Sequence, residues 1–141
     1  MKRSILIMIA VSVMLLSGCK SQYIGQTVRQ PAHTLAAVTG HQVVTMKHIV
    51  LDYDYSIKGD KIYFDGTIGC GPKLAKTWDD LDIDLEILFI DSNQKVVKSE
   101  RFSPVSGDNF CENQNLFVAS YPYLDSYKSL TFTYSMSMIA H

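Results

Sequence analysis

No stretch of this sequence reaches the ~20 uncharged apolar residues that a membrane-spanning helix needs. The candidate run, Ser4 to Leu16, falls short. Nor is there an excess of positive charge: 13 Lys and Arg stand against 14 Asp and Glu. That argues against a nucleic-acid binder, which should show a basic face, and gives no sign of the polybasic patch of a peripheral membrane protein. There is no Gly-x-Ser-x-Gly elbow, phosphate loop, dinucleotide fingerprint or haem motif. Cysteine is scarce, at three residues, and none forms Cys-x-x-Cys. A redox pair usually takes that spacing, and a structural zinc needs four ligands. The acidic run Asp79, Asp80, Asp82 and Asp84 lacks the glycine and the closing glutamate of an EF-hand loop. Histidine is limited to His33, His41, His48 and His141, of which only His48 is predicted to lie inside a regular element. Hydrolytic chemistry needs a nucleophile, a base and an orienting group. No such set is visible, so the chain reads as a non-enzyme with no cofactor and no metal.

The amino terminus is informative. Met1-Lys2-Arg3 supplies positive charge, Ser4 to Leu16 an apolar core, and Ser17-Gly18 small residues before Cys19. That order is a secretory signal. Leu16-Ser17-Gly18-Cys19 resembles the bacterial lipobox. The resemblance implies cleavage before Cys19, with diacylation of its sulfur. Two acyl chains hold a protein to a membrane stably where one does not, at ~0.8 kcal/mol per buried CH₂. In such lipoproteins an Asp after the cysteine tends to retain the protein in the inner membrane. Lys20 is not that signal, so the resemblance favours the outer membrane.

Removing residues 1–18 from 141 leaves 123, enough for one domain with its own core. Losing Lys2 and Arg3 leaves 11 basic residues against 14 acidic, a net charge of −3. With Cys19 taken by lipid, Cys70 and Cys111 remain, 41 residues apart in an oxidising compartment. An even pair there reads as a structural disulfide.

Residues 19–40 hold Gly25, Pro31, Gly40 and scattered polar residues with no clear period, and read as a lipidated tether. Within them, His33 to Val38 is compatible with a helical turn or with packing on the domain. Residues 41–141 form the domain, and there the dominant period is two. Gln42 to Tyr55 reads as one long strand, apolar in part on both faces. Lys58-Gly59-Asp60-Lys61 is a turn, followed by alternation from Ile62 to Ile68 and a bend at Gly69-Cys70-Gly71-Pro72. From Asp79 to Asp91, Leu81, Ile83, Leu85, Ile87 and Phe89 alternate with Asp82, Asp84 and Glu86. A strand puts those acids on one solvated face; Leu88 and Ile90 break that face, so its end should be covered. Asp91 to Gln94 is a hairpin turn, returning through Lys95 to Phe102. Residues 103–109 read as loop, Leu116 to Tyr121 as a short strand closed by Pro122, and Ser129 to Ile139 as the last strand.

Six or seven strands at this spacing predict an all-β fold, an antiparallel two-sheet sandwich. A small β-barrel is the alternative. The arrangement resembles the small immunoglobulin-like domains of bacterial lipoproteins. The best binding surface that the sequence offers is Tyr121, Tyr123 and Tyr127, an aromatic cluster suited to a glycan or a protein partner; the competing reading is that these rings cap the sandwich. Asp52 and Asp54 could join the acidic face of residues 82–86 if their strands are neighbours. Met136 and Met138 fall on a core face and read as packing. The functional expectation is a membrane-anchored lipoprotein of the bacterial envelope that binds a protein or envelope component through strand edges or end loops. The alternative is a small-ligand carrier or enzyme whose site gathers groups such as His48, Asp52 and Asp79 from distant loops.

Overall fold

The computed structural model describes residues 22–28, 33–74, 80–101, 105–108, 110–113 and 115–138. Residues 1–18, read above as a signal, together with Cys19, Asp79 and His141, lie outside the described residues. Nine strands follow in order: β1 (His33–Thr34), β2 (Thr39–Thr45), β3 (Ile49–Lys58), β4 (Lys61–Cys70), β5 (Asp80–Ile90), β6 (Val96–Arg101), β7 (Val105–Asp108), β8 (Asn115–Pro122) and β9 (Ser129–Met138). One sheet has the order β2-β3-β4-β8; the other runs β1-β9-β5-β6, with β7 also paired to β5. All pairings between strands are antiparallel. The sheets are packed face to face and do not close into a barrel. Among the described residues there is no helix, and so none long and apolar enough to cross a membrane.

Alternation places the core. On β5, Leu81, Ile83, Leu85, Ile87 and Phe89 are each at most 1 % exposed. They meet Ile49, Leu51, Tyr53, Ile62, Phe64 and Ile68 of the opposite sheet in one cluster. Burying each such side chain contributes about 1.5–3 kcal/mol. Tyr53 packs edge-on against Phe132, with ring centroids 5.2 Å apart. Gly66 lies opposite Tyr53 in register, where a Cβ would stand 2.7 Å from the Tyr53 Cα. A side chain there has no room.

Turns follow local chemistry. Gly59 takes φ 63° at the first position of the two-residue β3–β4 turn, where a type II′ geometry needs a positive φ. In the β5–β6 turn the Asp91 carboxylate accepts from the amides of Asn93 at 2.8 Å and Lys95 at 3.0 Å. The Cys70 and Cys111 sulfurs pair, with Cα atoms 5.1 Å apart. This ties the end of β4 to the segment before β8. Beside it the Asn115 amide donates to the carbonyls of Ile68 and Phe110.

The structure corrects the sequence reading at three places. The single strand expected over residues 42–55 is a hairpin, β2 and β3, broken at Met46-Lys47-His48. Chain reversal there is held from afar: Gly71 donates to the His48 carbonyl at 2.8 Å and Lys73 to the Lys47 carbonyl at 3.0 Å. The reversal also swaps parity, which explains why both alternating sets looked partly apolar. The expected loop at 103–109 contains β7, recruited by the edge of β5. And the chain from Gln22 to Val28 lies on the domain. Thr27 bridges Lys95, and the Gly25 and Val28 amides donate to the carbonyls of Val96 and Gln94. Tyr23 and Val28 pack on Leu88, Ile90 and Val96, the apolar end of the outer face of β5. The cover expected over Leu88 and Ile90 is therefore this segment. Further along, β1 pairs with β9 at the edge of the same sheet.

Candidate functional site

The outer face of the β2-β3-β4-β8 sheet collects unusual neighbours. Register puts His41, Asp54, Asp65 and Val118 in one cross-strand row. The next row runs Val43, Asp52, Thr67 and Leu116. His41 bridges two acids: Nδ1 is 2.9 Å from Asp54 Oδ1 and Nε2 is 3.4 Å from Asp52 Oδ1. All three side chains are more than half exposed, so these contacts are weak individually. Asp54 and Asp65 face each other directly, an arrangement that destabilises a sheet when like charges oppose. Lys58 Nζ lies 5.8 Å from the Tyr63 ring centroid on the same face. An open groove of about 660 Å³ follows Thr39, His41, Tyr55, Tyr63, Asp65 and Val118.

At the border of this face is β8, the last strand of its sheet. Among the described residues no strand pairs with its outer edge. Leu116 is 69 % and Val118 80 % exposed, beside a strand, Asn-Leu-Phe-Val-Ala-Ser-Tyr-Pro, that carries no charge.

The three tyrosines offered as a binding surface lie together at one end of the sandwich. Tyr127 is buried and stacks on Phe89, with centroids 4.6 Å apart. Tyr123 is half-buried and meets Tyr127 edge-on at 5.9 Å. Tyr121 is half-buried; its hydroxyl donates to the Arg101 carbonyl at 2.9 Å. These rings cap one end of the sandwich. Burial, and then the Glu100 charge, push the Tyr121 phenol up to about 12. Burial likewise raises Tyr123 and Tyr127 above the ordinary tyrosine value. Tyr53 is raised for the same reason, and its buried hydroxyl has no hydrogen-bond partner among the described residues.

Of the groups suggested for a pocket, His48 and Asp52 do not converge, and Asp79 lies outside the described residues. His48 sits in the β2–β3 turn with Nδ1 2.8 Å from the Tyr134 hydroxyl, which also accepts from the His48 amide at 3.2 Å. Asp52 points to the outer face with His41. Nor do Asp52 and Asp54 join Asp82, Asp84 and Glu86, because β3 and β5 belong to different sheets. A second concavity of about 150 Å³ lies between Gln22, Tyr23 and the outer face of β5 and β9. It is smaller than a typical ligand site. Among the described residues no group of three or more His, Cys, Asp or Glu is placed to hold a metal ion. Met136 is half-buried against the core, while the Met138 side chain lies outside the described ones.

Sequence reasoning missed Asp65 and the β8 edge. Asp65 sits inside a clean alternation and carries no motif; only register sets it opposite Asp54. The edge could have been suspected from the uncharged run at 115–122, but sheet order decides whether a strand has an open side. No family model, curated protein or solved structure matches the chain.

Proposed function

We propose that this chain is a lipid-anchored, non-enzymatic binding module of the bacterial cell envelope, held through Cys19 to the outer membrane. Its β-sandwich binds an envelope protein through the β8 edge. The observation that carries the reading is the exposure of Leu116 and Val118 on an open, uncharged edge strand. Soluble proteins normally protect such edges, because unpaired amides and carbonyls with apolar flanks recruit other strands. Strand addition is an established way of binding extended segments.

The test is photo-crosslinking in cells. A photoreactive residue at Leu116 or Val118 should give an adduct of discrete mass with an envelope protein. The same residue at Ser137, exposed on the other sheet, should not. Cys19→Ala should move the chain out of the membrane fraction. Absence of an adduct at both edge positions would sink the binding reading; membrane retention of Cys19→Ala would sink the anchoring one.

A further inference from the structure

We propose that the β8 edge receives an extended, basic segment of its partner, which adds as a further strand and lays a lysine or arginine across Val118 onto Asp65. The proposal rests on the binding-module reading and names the chemistry of its ligand.

Three observations converge on this occupant. First, edge protection is uneven. β6, an edge of the other sheet, carries Lys98, Glu100 and Arg101. β8 carries no charge, and only Pro122 at its end would hinder pairing. Second, its outward side chains, Leu116, Val118 and Ser120, are exposed and alternate as an added strand requires. Third, the row behind the edge is acidic. His41 serves Asp54 and Asp52 from the β2 side. Asp65, next to β8, has no cation within ion-pairing distance among the described residues. A cation arriving from the β8 side would relieve the opposition of Asp54 and Asp65. An acidic strand would worsen it. A second copy of this chain would bring an uncharged β8 and leave it unchanged.

The geometry allows the contact. An added strand stands two strand spacings from β4, roughly 9–10 Å. A lysine or arginine stem can lie along the Val118 side chain while its charged head reaches Asp65. Two residues along, on the same face, the added strand meets Leu116 and should be apolar. The ligand signature is thus an apolar and a basic residue separated by one position.

Amide shifts of the full-length, lipidated protein in non-ionic detergent test this with two peptides, Thr-Val-Thr-Lys-Thr-Val-Thr and its Lys-to-Glu counterpart. The lysine peptide should shift residues 115–122 and bind more tightly than the glutamate peptide. Asp65→Asn should weaken it about 3-fold, the size of an exposed ion pair. Val118→Lys should abolish binding. Equal binding of the two peptides, or no effect of Asp65→Asn, would overturn the basic segment. So would shifts that grow with protein concentration alone, which would make a second copy the occupant, or silence of β8 toward both peptides. Adducts at Leu116 and Val118 in cells report use of the edge whatever the charge of its occupant. Retained adducts without lysine preference therefore refute this inference alone; loss of both refutes the binding module as well.

Discussion

Ile90→Ala tests the most consequential packing in the molecule. Ile90 points to the outer face of its sheet, where an unprotected side chain would be solvated. It is instead 1 % exposed, beneath Tyr23 and Val28. Truncating an exposed isoleucine changes stability by about 0.5 kcal/mol or less. Truncating a buried one costs about 2–5 kcal/mol. We expect about 3 kcal/mol, because the site is sealed on one side by a short segment that can partly follow the lost volume. With a urea dependence of about 1–3 kcal/mol/M, the unfolding midpoint should fall by about 1–3 M. Circular dichroism of the unlipidated chain from residue 20, oxidised, reads this directly. Tyr23→Ala removes the covering ring and the contact of its hydroxyl with Thr133 Oγ1 at 3.4 Å. In that background Ile90→Ala should cost about 1 kcal/mol less, within the coupling seen between touching residues. An Ile90→Ala cost below about 0.5 kcal/mol, or additivity of the two changes within that margin, would refute the docking of residues 22–28.

Two further outcomes follow from the same fold. Replacing Cys70 and Cys111 together by Ala should lower stability by roughly 4 kcal/mol, since the bridge closes a loop of 41 residues; an unchanged urea midpoint in the variant would refute the bridge's contribution. The buried tyrosines should make the fold sensitive to alkali. A phenol raised in the folded state above its ordinary value of 10.0 stabilises fully below that value, and the contribution is lost as pH rises through the folded value, about 12 for Tyr121. Tyrosinate absorbance should therefore rise in two phases, the later one accompanied by unfolding. A single reversible titration of all eight tyrosines near 10, with the fold intact, would contradict it.

Much of the architecture was legible because period two is unambiguous when five large apolar residues alternate with acids, as from Leu81 to Phe89. The same reading anticipated a cover over Leu88 and Ile90 without identifying it. The features it missed share one cause. The reversal at residues 46–48 has no glycine, proline or asparagine, and is imposed by Gly71, Lys73 and Tyr134 from far along the chain. β7 has the composition of a loop and becomes a strand only because β5 offers an edge. Residues 22–28 show no period, since their order comes from pairing with the β5–β6 hairpin. The candidate site follows the same rule. Cross-strand rows depend on register, and open edges depend on sheet order; neither is written in a local stretch of sequence. The tyrosines left two readings open, because an aromatic-rich turn has the same composition whether it caps a core or stands clear of it.

The docking of residues 22–28 bears on where the protein can search. A flexible tether from Cys19 through residue 40 would let the domain range over roughly 25 Å, by the behaviour of about 20 unconstrained residues. The chain is already fastened at Tyr23. Were Cys19 to carry the lipid, only Lys20, Ser21 and Gln22 would intervene, a span of at most about 14 Å. Such a domain would ride on the bilayer surface rather than swing above it. Partners sharing that membrane would meet it in two dimensions, at high local concentration. Those anchored across the envelope would have to reach down to it.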